Sequence, residues 1–261
     1  MMRGLADAVD VLLPRVCVVC GDRLLANEKI VCLHCLADMP LTHFWQLEHN
    51  PMADRFNTAV QDGLEAGWST IEWQSGTLLT EETREKYSYA CALFFYSHEA
   101  AYRHILYNLK YEGRIDVGRL FGRMLGSRLK TSAAFKDVDC VMPVPLHWLR
   151  RWRRGYNQAE VIAREVSTAL GVRLECHVLY RRRRTRTQTR LEISAKRANV
   201  SGAFGIRATS ADALKDTKHI LLVDDVFTTG STLHACFVAL RSVFPPSVRI
   251  SVATLAFVGE V

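Results

Sequence analysis

The stretch HILLVDDVFTTGSTL, running from His219 to Leu233, decides how the rest of the chain is read. Ile220, Leu221, Leu222 and Val223 form an apolar run too short for a lone helix. Two adjacent acids, Asp224 and Asp225, follow it, and then the small turn Thr228, Thr229, Gly230, Ser231, Thr232. This order predicts a buried parallel strand leading into a loop and then a helix, whose apolar spacing is set by Leu233, Cys236, Phe237 and Leu240.

Each part has a chemical use. Hydroxyls and backbone N–H groups at a helix start, together with the helix dipole, favour a phosphate. Ionised carboxylates accept hydrogen bonds without donating any, so the acid pair suits the two vicinal hydroxyls of a ribose. A plain strand end with an N-capping turn would explain the hydroxyls of Thr228 to Thr232. It would not explain an adjacent acid pair after four buried positions.

The totals bound the class. A chain of 261 residues with 49% hydrophobic content can bury a full core in one or two domains. No apolar run approaches the ~18 residues of a membrane span, and the N-terminus lacks the apolar core of a signal peptide, so a soluble cytoplasmic protein is expected. The net charge of +7 is local. Arg181, Arg182, Arg183, Arg184, Arg186, Arg190, Lys196 and Arg197 face one acid, Glu192, so this segment holds the whole net charge and the remainder sums to zero. That distribution points to an anionic ligand at one place rather than to a surface coated for nonspecific nucleic-acid binding.

Near the N-terminus, a short amphipathic helix over residues 3–13 is expected to end at Pro14. Then Cys17 and Cys20 form one C-x-x-C knuckle and Cys32 and Cys35 a second. Two such knuckles can place four thiolates tetrahedrally around one structural zinc, which leaves no open coordination position. A redox dithiol or buried free thiols are the alternatives. His34 and His43 are expected at the surface, and Cys91, Cys140, Cys176 and Cys236, each alone in an apolar run, in the core.

From Pro40 to about Arg84 periodicity fades, and a semi-regular connector is expected there. A strand over Cys91 to Tyr96 precedes two helical patterns, one with Tyr102, Ile105, Leu106 and Leu109 and one with Val117, Leu120, Phe121, Met124 and Leu125. Lys110 and Arg114, beside Gly113, read equally well as site residues or as solvated charges at a helix end. Asp139 to Val144 reads as a second buried strand, with the loop Val144, Pro145, Leu146, His147 at its carboxyl end, where open α/β sheets bind ligands. Arg150, Arg151, Arg153 and Arg154 precede a helix expected from Gly155-Tyr156-Asn157-Gln158 onward, a plausible pyrophosphate cradle. A strand over Val172 to Tyr180, an exposed arginine-rich loop over 181–197, a short strand over Asn199 to Phe204 and a last strand over Val248 to Phe257 complete an α/β unit with a largely parallel sheet.

The ordered set of motifs resembles the ComF family (ComFC or GntX type), proteins associated with competence for DNA uptake. The motifs are the double C-x-x-C, LKYEGR (Leu109 to Arg114), PVPLH with RRWRRGYNQA (Pro143 to Ala159), RTRTQTRLEISAKRANVSGAF (Arg184 to Phe204) and LLVDDVFTTGSTL. The resemblance implies a type I phosphoribosyltransferase-like core with a largely parallel five-stranded sheet behind a small N-terminal zinc module. The implied boundaries are 1–45 for the module, 46–86 for the connector and 87–261 for the core.

It further implies 5-phosphoribosyl 1-pyrophosphate (PRPP) as ligand, with Mg2+ on its pyrophosphate. Asp224 and Asp225 would take the ribose hydroxyls as the catalytic pair. Thr228, Thr229, Gly230, Ser231 and Thr232 would take the 5-phosphate, and Val144, Pro145 and Leu146 would face the pyrophosphate. Arg186, Gln188, Arg190 and Arg197 match the family's flexible loop. Two functions follow as expectations. One is a Mg2+-dependent phosphoribosyltransferase with an unidentified acceptor. The other is a nonenzymatic competence factor that binds PRPP as a regulatory ligand and engages single-stranded DNA or a competence helicase-type partner. No base-reading constellation for an acceptor is legible in the sequence.

Overall fold

The structure, a computed structural model, describes residues 14–65, 85–97, 99–182, 202–207 and 214–259. The expected helix over 3–13 and the loop residues Arg186, Gln188, Arg190 and Arg197 lie outside the described residues, as do Trp68 and Trp73.

In chain order the helices are α1 (Leu33–Ala37), α2 (Pro51–Glu65), α3 (Arg103–Tyr111), α4 (Ile115–Lys130), α5 (Trp148–Arg154), α6 (Gln158–Leu170) and α7 (Ser231–Arg241). The strands are β1 (Ala90–Phe95), β2 (Cys140–Pro143), β3 (Arg173–Leu174), β4 (Leu179–Arg181), β5 (Phe204–Ile206), β6 (His219–Phe227) and β7 (Arg249–Phe257). Five strands form one sheet in the order β1-β7-β6-β2-β3, every neighbouring pair parallel. This is the largely parallel five-stranded α/β sheet expected from the sequence.

β6 lies at the centre because it can be covered on both faces. Ile220, Leu221, Leu222 and Val223 are fully buried, and a strand covered on both faces belongs inside a parallel sheet. Its neighbour β7 is as deeply buried, and its polar residues are satisfied locally. Thr254 Oγ1 donates to Ala256 O at 2.9 Å, and Ser251 Oγ accepts from Tyr89 N and lies 2.8 Å from His219 Nε2.

Helices α4 and α6 cover one face together. Val117, Phe121, Leu125 and Leu129 of α4 are buried. Gly118, Gly122 and Gly126 recur every fourth position on the α4 face that meets α6; a Cβ at Gly126 would lie 2.7 Å from Ala169 Cβ. The close approach of the two helices therefore depends on the missing side chains.

Several expectations change. Residues 172–180 are not one strand: β3 adds two residues to the main sheet, whereas β4 turns away and pairs antiparallel with β5 in a separate two-stranded sheet. The arginines at 150–154 do not precede a helix as loop residues. They lie on α5, a seven-residue helix with no buried side chain, capped by His147 and closed by Gly155 at φ 78°. The expected connector contains the fifteen-residue helix α2, whose buried residues Met52, Ala53, Phe56 and Val60 pack into the common core. Asn-Pro starts this helix: Asn50 Oδ1 accepts from Met52 N and Ala53 N, and Pro51 takes the first helical position. Cys91, Cys140 and Cys236 are buried, but Cys176 is only half-buried.

The cysteine-bearing segment is stitched to the sheet. Phe95 N donates to Pro40 O at 2.8 Å, Thr42 Oγ1 donates to Ala92 O, and Tyr102 OH donates to Cys35 O at 2.9 Å. Phe44 packs edge-on against Phe95 and Phe257.

Candidate functional site

β6 extends past its apolar run to Phe227, so the acid pair sits within the strand rather than after it. Asp225 is buried and Asp224 half-buried at its carboxyl-terminal end. The turn that follows needs Gly230. Its φ is 74°, and a Cβ there would come 2.6 Å from Cζ of the buried Phe227. Thr229 Oγ1 lies 2.8 Å from Ser231 Oγ and accepts from Ser231 N, which shapes the turn into α7.

The neighbouring strand end is fixed by Asn157. Its Oδ1 caps α6 through Ala159 N at 3.2 Å, and its Nδ2 donates to Val144 O at 3.0 Å. One side chain thus starts a helix and holds the turn at Val144 to Leu146.

These two strand ends enclose a cavity of about 190 Å³. Asp224, Asp225, Thr228 and Thr232 line it from β6 and α7, and Val144, Pro145 and Leu146 from the end of β2. Thr229, Gly230 and Ser231 build the turn without lining this cavity. The structure therefore gathers residues about 80 positions apart in sequence at adjacent parallel strand ends.

Four cations complete the lining: Lys110, Arg150, Arg154 and Arg181. Lys110 resolves one ambiguity of the sequence. It points into the site, with Nζ 3.0 Å from Asp225 Oδ2, whereas Arg114 turns to Asp116 in a two-pronged contact at 2.7–3.2 Å. Burial pulls the Lys110 ammonium down, and the Asp225 carboxylate outweighs it, so its pKa is raised. Burial, then the adjacent Asp225 charge, pushes Asp224 well above the usual carboxylate range. Asp224 Oδ1 already accepts from Asp225 N at 2.9 Å.

Burial, and next Arg150, lower the pKa of Arg181, which means that positive charge is crowded here. Crowded cations around a cavity are stabilised by an anion between them. Arg154 also donates to Gln158 Oε1 at 3.0 Å. Among the described residues Gln158 Nε2, buried on the cavity wall, has no hydrogen-bond partner, which leaves a donor for a ligand.

The sequence offered no spacing rule for Lys110, Arg181 or Gln158, because each reaches the site from a different element. The sequence singled out Lys110 beside Arg114, the arginine cluster at 150–154 and the basic segment from Arg181 without showing which would meet; the structure brings Lys110, Arg150, Arg154 and Arg181 to the cavity while Arg151 reaches Glu160 instead.

The four cysteines form a second constellation. The Sγ atoms of Cys17, Cys20, Cys32 and Cys35 lie within 4.8 Å of one another, and Cys20 Sγ and Cys32 Sγ are 3.8 Å apart. A tetrahedron with metal–sulfur bonds of about 2.3 Å has edges of about 3.8 Å, so the cluster could hold a metal ion such as zinc. Val19 N and Cys32 N both approach Cys17 Sγ at 3.4 Å. Burial opposes ionisation of Cys17, yet these amides prevail and bring its thiol down to about 7. Glu28 braces the second knuckle by accepting from Leu25 N and Leu33 N at 2.8 and 2.7 Å. His34 takes no part; it is exposed and pairs with Asp38.

Among the described residues no helix is long and apolar enough to cross a membrane.

Comparison with known proteins agrees with this geometry. The phosphoribosyl transferase domain model matches residues 156–259, which hold the acid pair and its turn but neither Val144 to Leu146 nor the cluster of Cys17, Cys20, Cys32 and Cys35. Competence protein F of Haemophilus influenzae is 29% identical over 149 residues, 56% of this chain and 64% of that protein. DNA utilization protein YhgH of Escherichia coli O6:H1 is 29% identical over 132 residues, 49% of this chain and 56% of the relative. YhgH of Salmonella typhimurium matches to the same extent. The chain thus spans somewhat more than half the length of the curated relatives it matches. A parallel α/β sheet whose second half matches the phosphoribosyl transferase domain, a four-cysteine cluster and these similarities together make the chain similar to ComF-type, phosphoribosyltransferase-like proteins.

Proposed function

We infer that the chain binds PRPP in the cavity at the ends of β2 and β6 and transfers its phosphoribosyl group to a nitrogen nucleophile. The observation that carries this reading is the single cavity that joins an acid pair, a hydroxyl-bearing helix start and four cations. Asp224 and Asp225 hold the ribose hydroxyls, as the catalytic pair. The 5-phosphate lies at the turn from Thr228 to Thr232, where the N-terminus of α7 favours an anion. Val144, Pro145 and Leu146 flank the pyrophosphate, with Arg150, Arg154 and Arg181 around it. Arg186, Gln188, Arg190 and Arg197 are the further side chains we assign to the pyrophosphate.

The donor set suits Mg2+ as well. Asp225 already pairs with Lys110, so the protein offers chiefly Asp224, and Mg2+ is commonly held by one or two carboxylates with phosphate oxygens and water. When bound, the ion neutralises charge on the pyrophosphate. The acceptor's nitrogen lone pair forms the new bond to the anomeric carbon. The C–O bond to pyrophosphate breaks, its electron pair leaves with pyrophosphate, and the acceptor's proton goes to water. The arginines stabilise the departing charge.

Zinc is the metal we assign to the four cysteines, in a structural role, because a closed thiolate tetrahedron leaves no site for substrate. Unpaired thiols suit a reducing cytoplasm.

Calorimetry with PRPP tests the donor reading. Binding to the wild-type protein is expected to be lost in the double variant Asp224→Asn with Asp225→Asn while metal content stays the same. Unchanged affinity in that variant sinks the reading.

One observation favours a second reading, in which PRPP regulates a nonenzymatic protein that engages single-stranded DNA. On α5, Trp148 and Trp152 are 68% and 81% exposed and alternate with arginines. Stacking rings among cations is what single-strand binding requires. The relatives' names, competence and DNA utilization, point the same way. Binding of a single-stranded oligonucleotide that weakens steeply with salt and falls in Trp148→Ala with Trp152→Ala, with no pyrophosphate release by any acceptor, would favour it.

A further inference from the structure

A second cavity adjoins the first. It measures about 430 Å³ and shares three lining residues with the donor cavity: Lys110, Val226 and Thr228. The two are therefore separated by little more than the Lys110 side chain and the end of β6.

Their linings differ in chemistry. The donor cavity is walled by carboxylates, hydroxyls and guanidinium groups. The second is walled by Tyr96, Tyr107 and Tyr111, with Leu106, Val226 and Val258 supplying its aliphatic surface. The rings of Tyr107 and Tyr111 are 5.2 Å apart and tilted by 46°, and both side chains remain 50% or more exposed. A cavity of this size, apolar with a few placed polar groups, is suited to a small organic ligand, and aromatic walls favour a planar one.

The charged groups on its wall are of one sign. Among the described residues Arg103, His104 and Lys110 line it and no aspartate or glutamate does, with Lys110 paired to Asp225 at the boundary between the two cavities. A ring carrying negative charge is favoured there over a cationic one.

We propose that this cavity is the acceptor site and takes a planar aromatic ring with a nucleophilic nitrogen and an anionic substituent. The proposal rests on the transfer reading above and adds the acceptor class that the sequence left blank. Its position fits: a ring here adjoins the donor cavity across the shared boundary at Lys110, Val226 and Thr228, next to the acid pair assigned to the ribose. Phosphosugar and acceptor each have a compartment matched to their polarity.

The test uses 2-aminobenzoate, a fluorescent planar amine with a carboxylate, titrated into the full-length protein with and without PRPP and Mg2+. PRPP binding is measured separately by calorimetry. Saturable probe binding is expected, weakened about tenfold in Tyr107→Ala, which removes an exposed wall, and in Val258→Phe, which fills the cavity. Neither residue lines the donor cavity, so PRPP affinity is expected to hold in both. Should Tyr107→Ala fold poorly, Val258→Phe decides alone. PRPP binding without probe binding, or probe affinity unmoved by the variants, overturns the acceptor site and leaves the donor reading intact. Loss of PRPP binding in the wild type overturns the donor reading instead, and the titration without PRPP still judges whether the cavity holds the ring.

Discussion

Lys110 Nζ lies 3.0 Å from Asp225 Oδ2, with the two side chains only 21% and 11% exposed. The contact joins helix α3 to the end of the central strand across 115 residues of sequence. It places a cation between the two cavities, and Tyr156 OH, donating to Leu109 O, holds the end of α3 in position. A partly buried pair of this kind is costly to break from one side, because the remaining charge is stranded.

Lys110→Met is accordingly expected to destabilise the fold by about 3 kcal/mol. Lys110→Met with Asp225→Leu should recover most of that loss, since neither charge then remains. Urea unfolding of the two variants checks this. A single variant as stable as the wild type would show that Asp225 finds water or another cation.

Gly230 cannot accept a side chain. At φ 74° a Cβ costs about 1 kcal/mol of backbone strain, and contact at 2.6 Å with the fully buried Phe227 ring adds about 2 kcal/mol of overpacking. Gly230→Ala is therefore expected to lose about 3 kcal/mol in chemical denaturation. It should also weaken PRPP binding, because the turn carries the start of α7. A loss under about 1 kcal/mol would mean that the turn can shift to make room.

His219 makes stability depend on pH. It is 3% exposed between β7 and the 85–89 segment, and burial, then the charges of Arg249 and Lys86, depress its pKa to about 3. The unfolded imidazole titrates near 6.5, so below that pH the unfolded state binds the proton that the folded state refuses. Stability is thus full above about pH 6.5 and falls as pH drops towards 3, by about 1.4 kcal/mol per unit. Between pH 7 and pH 5 this residue should remove about 2 kcal/mol. His219→Gln, which keeps a polar group near Ser251, should lose correspondingly less over the same interval. Equal losses in both proteins would assign the pH dependence elsewhere.

The cysteine cluster should carry one zinc per chain, measured by elemental analysis of protein purified without chelator. Cys20→Ser, at the exposed corner of the cluster, should lower the metal content, and a chelator should lower the unfolding temperature of the wild type. Tyr102 OH donates to Cys35 O and Phe44 packs on Phe257, so the loss should spread from the cluster to the sheet. Metal-free protein with an unaltered unfolding temperature would leave the four thiols without a structural role.

Much of the frame was legible before any coordinates. β6 announced itself because four apolar residues in a row need cover on two faces, and β1, β2 and β7 are as deeply buried. The two C-x-x-C knuckles were legible because a tetrahedral site needs close pairs, and pairs close in sequence stay close in space. Misreadings came where local pattern and packing disagreed. Asn50 and Pro51 resemble a break until Asn50 is seen capping a helix, and the segment from Val172 to Tyr180, expected as one strand, turns at residues 175–178 to serve two sheets.

What the sequence determined by itself was one wall of the cavity: acids, hydroxyls and a helix start within fifteen consecutive residues, where chain connectivity alone sets their spacing. Only the tertiary structure decided the rest. Lys110, the adjacent pair Asn157 and Gln158, and Arg181 sit on three separate elements, and the cavity of Tyr96, Tyr107 and Tyr111 joins a strand end to a helix. Such groups meet because parallel strands bring their carboxyl ends to one edge of the sheet, so their distances follow from packing and not from spacing along the chain.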